Sequence, residues 1–115
     1  MSAVLVRDDA APGRRAVRAV TLNRPERLNA ISMAVLDGLE AALANALAAP
    51  EVGSILLQGA GRALCAGDDL QEQHETSAGG HAALARQVET LQRISEHMLF
   101  GSKPVVGAVQ GWAVG

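Results

Sequence analysis

Residues 54–67 read SILLQGAGRALCAG, an apolar run followed at once by a segment that contains three glycines. A short apolar run of this kind is typical of a β-strand that is buried on both faces of a sheet. Glycine disfavours regular structure and leaves the backbone open to close approach by a ligand. This stretch therefore predicts a buried strand over 54–58 and a loop over 59–67 that can present bare backbone N–H groups.

The residues upstream of this strand predict a hairpin and a helix. Valine-rich runs occupy 3–7 and 16–22 and are separated by the turn-forming residues Asp8, Asp9, Pro12 and Gly13. Ser32 is placed to cap a helix. The apolar face of that helix repeats at spacings of three and four, through Leu36, Leu39, Leu43 and Leu47.

The residues downstream predict a second helix and a further strand. The helix runs from His81 to about Phe100, with one apolar face formed by Leu84, Val88, Leu91, Ile94 and Met98. After Pro104, the run VVGAVQ predicts another buried strand. The order strand, strand, helix, strand, helix, strand indicates an α/β fold whose later strands are parallel.

No helix follows the last apolar run, although parallel strands are normally covered on both faces. This pattern is awkward for a complete domain, and the length of 115 residues allows either one whole domain or a piece of a larger one.

Composition excludes several classes of protein. Apolar residues make up 49% of the chain and charged residues 19%, which favours a globular protein over a disordered one. The formal net charge is −2 and no block of like charges occurs, so we expect no nucleic-acid partner. No apolar stretch is long enough to cross a membrane and the first residues do not resemble a signal peptide, so we expect a cytoplasmic protein without membrane contact.

Other chemical interpretations of the polar residues are weaker. Gly59 and Gly61 fit the first positions of a dinucleotide-binding fingerprint, but Leu64 occupies the third and no helix pattern follows directly, so nucleotide binding stays a minor alternative. No histidine lies at a spacing from Cys65 that suggests a catalytic pair, so we interpret Cys65 as a small buried hydrophobic residue. The three histidines are too far apart in the sequence to predict a metal site.

Three segments together resemble the successive motifs of one family. TLNRPERLNAIS at 21–32, GAGRALCAGDDL at 59–70 and KPVVGAVQGWAVG at 103–115 are similar, in this order, to the motifs of the enoyl-CoA hydratase/isomerase (crotonase) superfamily. The resemblance implies the crotonase-like α/β spiral of strand-strand-helix turns, of which this chain would supply the N-terminal portion. The sequences of the first two segments look closest to those of the isomerases of phenylacetyl-CoA catabolism.

The resemblance implies an oxyanion hole of two backbone N–H groups that stabilises an enolate of an acyl-CoA thioester. The first donor would be the N–H of Asp68, and Asp69 would hold the loop by accepting backbone hydrogen bonds. The second donor follows Gly115, the first glycine of its motif, and the general acid/base carboxylates also follow. We therefore expect residues 1–115 to be incomplete as a catalyst, and a non-catalytic acyl-CoA-binding or interaction remnant is the alternative.

The resemblance also implies where CoA would bind. Arg24 and Arg27 carry charges suited to phosphate groups, with Arg27 the better candidate. Trp112 would be either core packing or a wall of the acyl pocket. The CoA thioester is the substrate, no further cofactor is implied, and the complete protein would be a homotrimer or hexamer. The implied substrate-binding residues are Arg27, Leu28, Ala30, Ala66, Asp68, Asp69, Leu70, Trp112 and Gly115.

Overall fold

The helices and strands follow the predicted order in the computed structural model, which describes residues 2–69 and 80–114. Two of the implied substrate-binding residues, Leu70 and Gly115, and one of the three histidines, His74, therefore lie outside the described residues. The same holds for Glu72 and Glu75, two carboxylates that could act as bases but are more commonly exposed surface residues. The elements are strand β1 (Val4–Asp9), strand β2 (Ala16–Leu22), a 3-10 turn (Pro25–Arg27), helix α1 (Met33–Ala48), strand β3 (Val52–Gly59), helix α2 (His81–Phe100) and strand β4 (Val105–Gly107).

The strands form one sheet in the order β1-β2-β3-β4. Strands β1 and β2 are antiparallel, whereas β2, β3 and β4 are mutually parallel, as the alternation of strands and helices predicts. The register pairs Leu22 with Gly59, so β2 and β3 end at the same edge of the sheet. The loops that leave these two strands consequently begin side by side.

Helix α1 covers one face of the sheet and forms the core with it. The hydroxyl of Ser32 accepts a hydrogen bond from the backbone N–H of Val35 at 3.2 Å, which confirms the predicted helix cap. The predicted leucine face points inward, with Leu36 and Leu43 almost fully buried. These side chains pack against Val20 of β2 and Ile55 of β3. Neither helix of the described part is long and apolar enough to cross a membrane.

The prediction that β3 is buried on both faces is wrong for this chain. Only Val52 and Ile55 of the strand are buried, because they face the helices. On the opposite face, Leu56 is half-buried and its neighbour Val106 is 58% exposed. Strand β4 also spans only three residues instead of the predicted six.

The predicted apolar face of α2 is only partly buried. Ile94 is 5% exposed and packs in the core, but Leu84 and Val88 are 48% and 45% exposed. The sequence interpretation missed Thr90, which is buried and whose hydroxyl donates to the carbonyl of Arg86. Hydrophobic periodicity identifies an apolar face, but it does not indicate how far a neighbouring element covers that face.

One charged side chain, Arg18 of β2, points into the core side of the sheet and is 8% exposed. Its guanidinium donates two hydrogen bonds to the carboxylate of Asp8, at 2.7 and 2.9 Å, and one to the side chain of Asn45 in α1 at 2.6 Å. The hydrogen bond from Arg18 lowers the pKa of Asp8, and the same contact raises the pKa of Arg18. The buried arginine thus joins β1, β2 and α1 through satisfied polar contacts.

Candidate functional site

Three chain segments meet beyond the shared edge where β2 and β3 end. They are the N-terminal segment (residues 24–31), the glycine loop (residues 59–69) and the C-terminal segment (residues 110–114). The glycine loop lies between the other two. Its residues pair with Ile31 on one side and with Ala113 on the other, each through an isolated parallel bridge.

Asn29 connects the N-terminal segment to the glycine loop. Its side chain is fully buried and donates to the carbonyls of Ala60 and Ala63 at 3.0 and 2.9 Å, while its carbonyl oxygen accepts from the backbone N–H of Arg24 at 2.8 Å. The residue has a φ of 55°, in the left-handed region that asparagine tolerates better than most side chains. Asn29 lies inside the quoted R-P-E-R-L-N motif, yet sequence reasoning assigned it no role.

A buried ion-pair cluster holds the far end of the glycine loop. The side chain of Asp69 is 4% exposed, and its two oxygens lie 3.2 Å from a guanidinium nitrogen of Arg24 and 3.4 Å from one of Arg27. Arg24 also donates to the carbonyl of Ala30 at 3.3 Å. Asp69 therefore receives two arginine side chains from the N-terminal segment, contacts that the family resemblance did not indicate.

The backbone around Asp68 has a defined orientation. The N–H of Ile31 donates to the carbonyl of Gly67 at 2.7 Å, and the carbonyl of Ile31 accepts from the N–H of Asp69 at 2.9 Å. In a parallel pairing of this kind, the residue between the two bonded neighbours directs its own N–H and C=O away from the partner strand. The N–H of Asp68 accordingly points away from the N-terminal segment, and it donates to no group within residues 2–69 and 80–114.

The C-terminal segment closes the other side of the glycine loop. The N–H of Cys65 donates to the carbonyl of Trp112, and the N–H of Val114 donates to the carbonyl of Cys65, both at 3.0 Å. The side-chain amide of Gln110 donates to the carbonyls of Gly59 and Gly61. Gly111 has a φ of 58°, and a Cβ atom there would overlap the carbonyl oxygen of Arg62. A glycine is therefore required for this close approach.

Most of the sequence-predicted site residues within the described part come together here. Ala30 and Asp69 are buried, Leu28 and Ala66 are half-buried, and Asp68 is exposed. The Arg27 side chain is 43% exposed. Trp112 is 64% exposed, so it is not core packing in this chain. Cys65 is half-buried, and its sulfur accepts a hydrogen bond from the N–H of Gly67 at 3.4 Å.

The chain matches known proteins across the segments that build this site. Residues 13–115 match the family model described as enoyl-CoA hydratase/isomerase. The 1,2-epoxyphenylacetyl-CoA isomerase of Escherichia coli strain K12 is 37% identical over 106 residues, which cover 88% of this chain and 39% of that protein. The mevalonyl-coenzyme A hydratase of Beauveria bassiana is also 37% identical over 106 residues, with 86% of this chain and 37% of that protein covered.

Solved structures agree with the sequence comparisons. An enoyl-CoA hydratase/isomerase from Mycobacterium paratuberculosis superposes with a TM-score of 0.84 at 32% sequence identity, over 96% of this chain and 42% of that chain. The chain thus spans about two fifths of the length of these relatives. The chain belongs to the enoyl-CoA hydratase/isomerase family, and the part of the fold that it spans is that of the crotonase structures.

Proposed function

We propose that this chain supplies the CoA-binding wall and the first oxyanion donor of an acyl-CoA hydratase or isomerase. The reaction would pass through an enolate of the thioester, stabilised by backbone N–H groups that are already oriented before the substrate binds. Completion of the site would require the second N–H donor and an acid/base carboxylate, which the family resemblance assigns to residues after Gly115. The CoA thioester would be the substrate, and no other cofactor is proposed.

The orientation of the Asp68 N–H is the observation that carries this proposal. Ile31 engages the residues on both sides of Asp68, so the N–H between them points outward without an acceptor in the described part of the chain. A thioester carbonyl would provide the missing acceptor. Asn29 and the Asp69 ion pairs hold the two adjoining segments together, which supports a rigid and therefore preorganised donor.

The proposed CoA wall consists of neighbouring parts of the same two segments. The carbonyl of Leu28 accepts from the N–H of Ala66 at 3.0 Å, so the two predicted sides of the wall are directly joined. Arg27 remains the candidate for a phosphate contact because its side chain is 43% exposed. Arg24 is less suited to that contact, since its guanidinium is 22% exposed and bonded to Asp69 and Ala30.

The proposed reaction class within the family is isomerisation of phenylacetyl-CoA derivatives. The support for this choice is the resemblance of the segments at 21–32 and 59–70 to those isomerases, since the overall identity is 37% both to the 1,2-epoxyphenylacetyl-CoA isomerase and to the mevalonyl-coenzyme A hydratase. We further propose that the complete protein is a cytoplasmic homotrimer or hexamer. Light scattering coupled to gel filtration of the complete protein would test the assembly, and a monomeric mass would contradict it.

Ligand binding tests the proposed site without requiring turnover. Isothermal titration of residues 1–115 would compare butyryl-CoA with S-butyl-CoA, a thioether of the same length that has no carbonyl oxygen. Because one hydrogen bond contributes about 1 kcal/mol, we expect butyryl-CoA to bind roughly fivefold more tightly. Equal affinities would refute the Asp68 donor, and the absence of any CoA binding would refute the site.

Turnover assays and thermal unfolding, together with the titration, distinguish the proposed function from its two alternatives. An acyl-CoA-binding remnant would bind butyryl-CoA, but the complete natural protein would then catalyse no reaction of acyl-CoA substrates. A dinucleotide-binding domain would be stabilised against thermal unfolding by NAD and not by butyryl-CoA. We expect stabilisation by butyryl-CoA alone.

A further inference from the structure

The two adjacent aspartates of the glycine loop have opposite environments. Asp69 is buried and paired with both Arg24 and Arg27. Asp68 is exposed, and no salt bridge within residues 2–69 and 80–114 includes it. Both arginines of the N-terminal segment are therefore engaged by Asp69, and Asp68 is exposed to solvent.

The surrounding sequence offers little to neutralise this carboxylate. Residues 70–79, LQEQHETSAG, contain two glutamates and neither lysine nor arginine. The C-terminal segment, QGWAV, contains no charged residue. Arg62 is the remaining cation of the three segments, and it forms no salt bridge with Asp68.

The covalent geometry of one residue limits how far this charge can lie from a bound carbonyl. A carbonyl oxygen accepting from the N–H of Asp68 would lie about 3 Å from that nitrogen. The carboxylate belongs to the same residue, so in any rotamer its oxygens would lie within about 7 Å of the carbonyl oxygen. A carboxylate two bonds from the carbonyl carbon, as in malonyl, would add about 4 Å, so the two charges would lie within about 11 Å of each other. Two unit charges at such a separation near a protein surface still interact, and salt weakens the interaction.

We propose that Asp68 is a specificity-determining residue that selects against acyl groups carrying a negative charge near the thioester carbonyl. This inference rests on the proposed acyl-CoA site and adds the substrate class to it. The favoured acyl groups are neutral, or carry a cation or a hydrogen-bond donor close to the carbonyl. Carboxylated acyl groups such as malonyl are disfavoured, because the carboxylate of Asp68 would lie near the thioester carbonyl that the backbone N–H of Asp68 binds.

Three ligands of similar size test this selection on residues 1–115. Dissociation constants are measured by isothermal titration for propionyl-CoA, malonyl-CoA and β-alanyl-CoA, whose acyl groups are neutral, anionic and cationic. We expect malonyl-CoA to bind roughly tenfold more weakly than propionyl-CoA at low ionic strength, and β-alanyl-CoA to bind more tightly than either. The difference should shrink as salt is raised to about 0.5 M, because the Debye length becomes shorter than the charge separation.

Matched variants assign the effect to Asp68. Asp68→Asn keeps the backbone N–H and the side-chain size while removing the charge, so it should abolish most of the discrimination. Asp68→Ser should also abolish most of the discrimination, and it controls for any specific effect of the asparagine side-chain amide. Asp9→Asn removes an exposed carboxylate near the opposite end of the sheet and should leave the malonyl/propionyl ratio unchanged.

The outcomes separate this inference from the proposed function. If propionyl-CoA binds and malonyl-CoA binds equally well, or if Asp68→Asn and Asp68→Ser leave the ratio unchanged, the site stands and the selection by Asp68 is overturned. If none of the three thioesters binds, the proposed acyl-CoA site fails and the selection fails with it.

Discussion

The side-chain amide of Asn29 donates a hydrogen bond to the carbonyl oxygen of Ala63 at 2.9 Å, across 34 residues of sequence. Together with its part-buried bonds to Ala60 and Arg24, this buried contact satisfies backbone groups of two loops with one side chain. Buried polar groups of this kind are costly to leave unpaired. The shape of the candidate site therefore depends strongly on Asn29.

Replacement of Asn29 should destabilise the protein markedly. Asn29→Ala removes three hydrogen bonds and leaves their partners unsatisfied, so we expect a loss of about 2–4 kcal/mol in the free energy of unfolding. Urea denaturation followed by circular dichroism measures this loss. Asn23→Ala is the matched control, because Asn23 makes one exposed hydrogen bond to the carbonyl of Ser2 and should cost less than about 1 kcal/mol. Equal losses in the two variants would contradict the assigned role.

Gly111 should tolerate substitution far less than Gly13. Both residues have positive φ angles, 58° and 75°, but only Gly111 faces a backbone atom that a Cβ would overlap. We expect Gly111→Ala to cost about 3 kcal/mol and Gly13→Ala about 1 kcal/mol. Amide hydrogen exchange supplies a local measurement: in Gly111→Ala the N–H groups of Leu64 and Cys65, which donate to the C-terminal segment, should exchange faster. Unchanged protection there would show that the glycine loop does not need this close approach.

Lys103 should stabilise the C-terminal end of α1. Its ammonium group donates to the carbonyl oxygens of Ala46 and Ala49, where the helix dipole is negative. We expect Lys103→Met to lower the free energy of unfolding by about 1–2 kcal/mol. Lys103→Arg retains the charge and should lose less.

Lys103 is also the only lysine of the chain, so acetylation of its amine can be followed by mass spectrometry of the peptide that contains it, separately from the N-terminal amine. The amine should react more slowly in the folded protein than after denaturation in urea. Equal rates would contradict the contacts at the end of α1.

The Asp8–Arg18 pair should make stability depend on pH in the acidic range. The hydrogen bond from Arg18 lowers the pKa of Asp8 in the folded protein. A carboxylate with a lowered folded pKa stabilises the protein above its unfolded pKa of about 4 and loses that contribution as the pH falls through the folded pKa. Asp8→Asn should therefore be less stable than the wild type at pH 7, by about 1 kcal/mol because the carboxylate is partly exposed.

The difference between wild type and Asp8→Asn should begin to shrink below about pH 4 and should be lost as the pH falls through the lowered folded pKa of Asp8. Thermal unfolding at a series of pH values measures it. Asp9→Asn provides the comparison, since Asp9 is exposed and forms no salt bridge in the described part of the chain. A difference for Asp8→Asn that stays constant down to pH 2 would contradict the ion pair.

Sequence alone predicted the elements and their order because the signals that form them are local. The spacing of leucines after Ser32 and the apolar pattern from His81 to Phe100 predicted both helices, and the glycines of 59–67 predicted a loop. Three motifs in order were also enough to predict the family, which the comparisons confirm. The predictions of the elements depend on residues a few positions apart, whereas the prediction of the family depends on three such local motifs and on their order along the chain.

Only the tertiary structure decided which distant groups meet at the site. The Asp69 carboxylate pairs with arginines that precede it by 42 and 45 residues, and Asn29 joins two loops that follow different strands. The outward direction of the Asp68 N–H likewise depends on the pairing of its neighbours with Ile31. Such contacts follow from the register of the sheet and the packing of its loops, which hydrophobic periodicity does not encode.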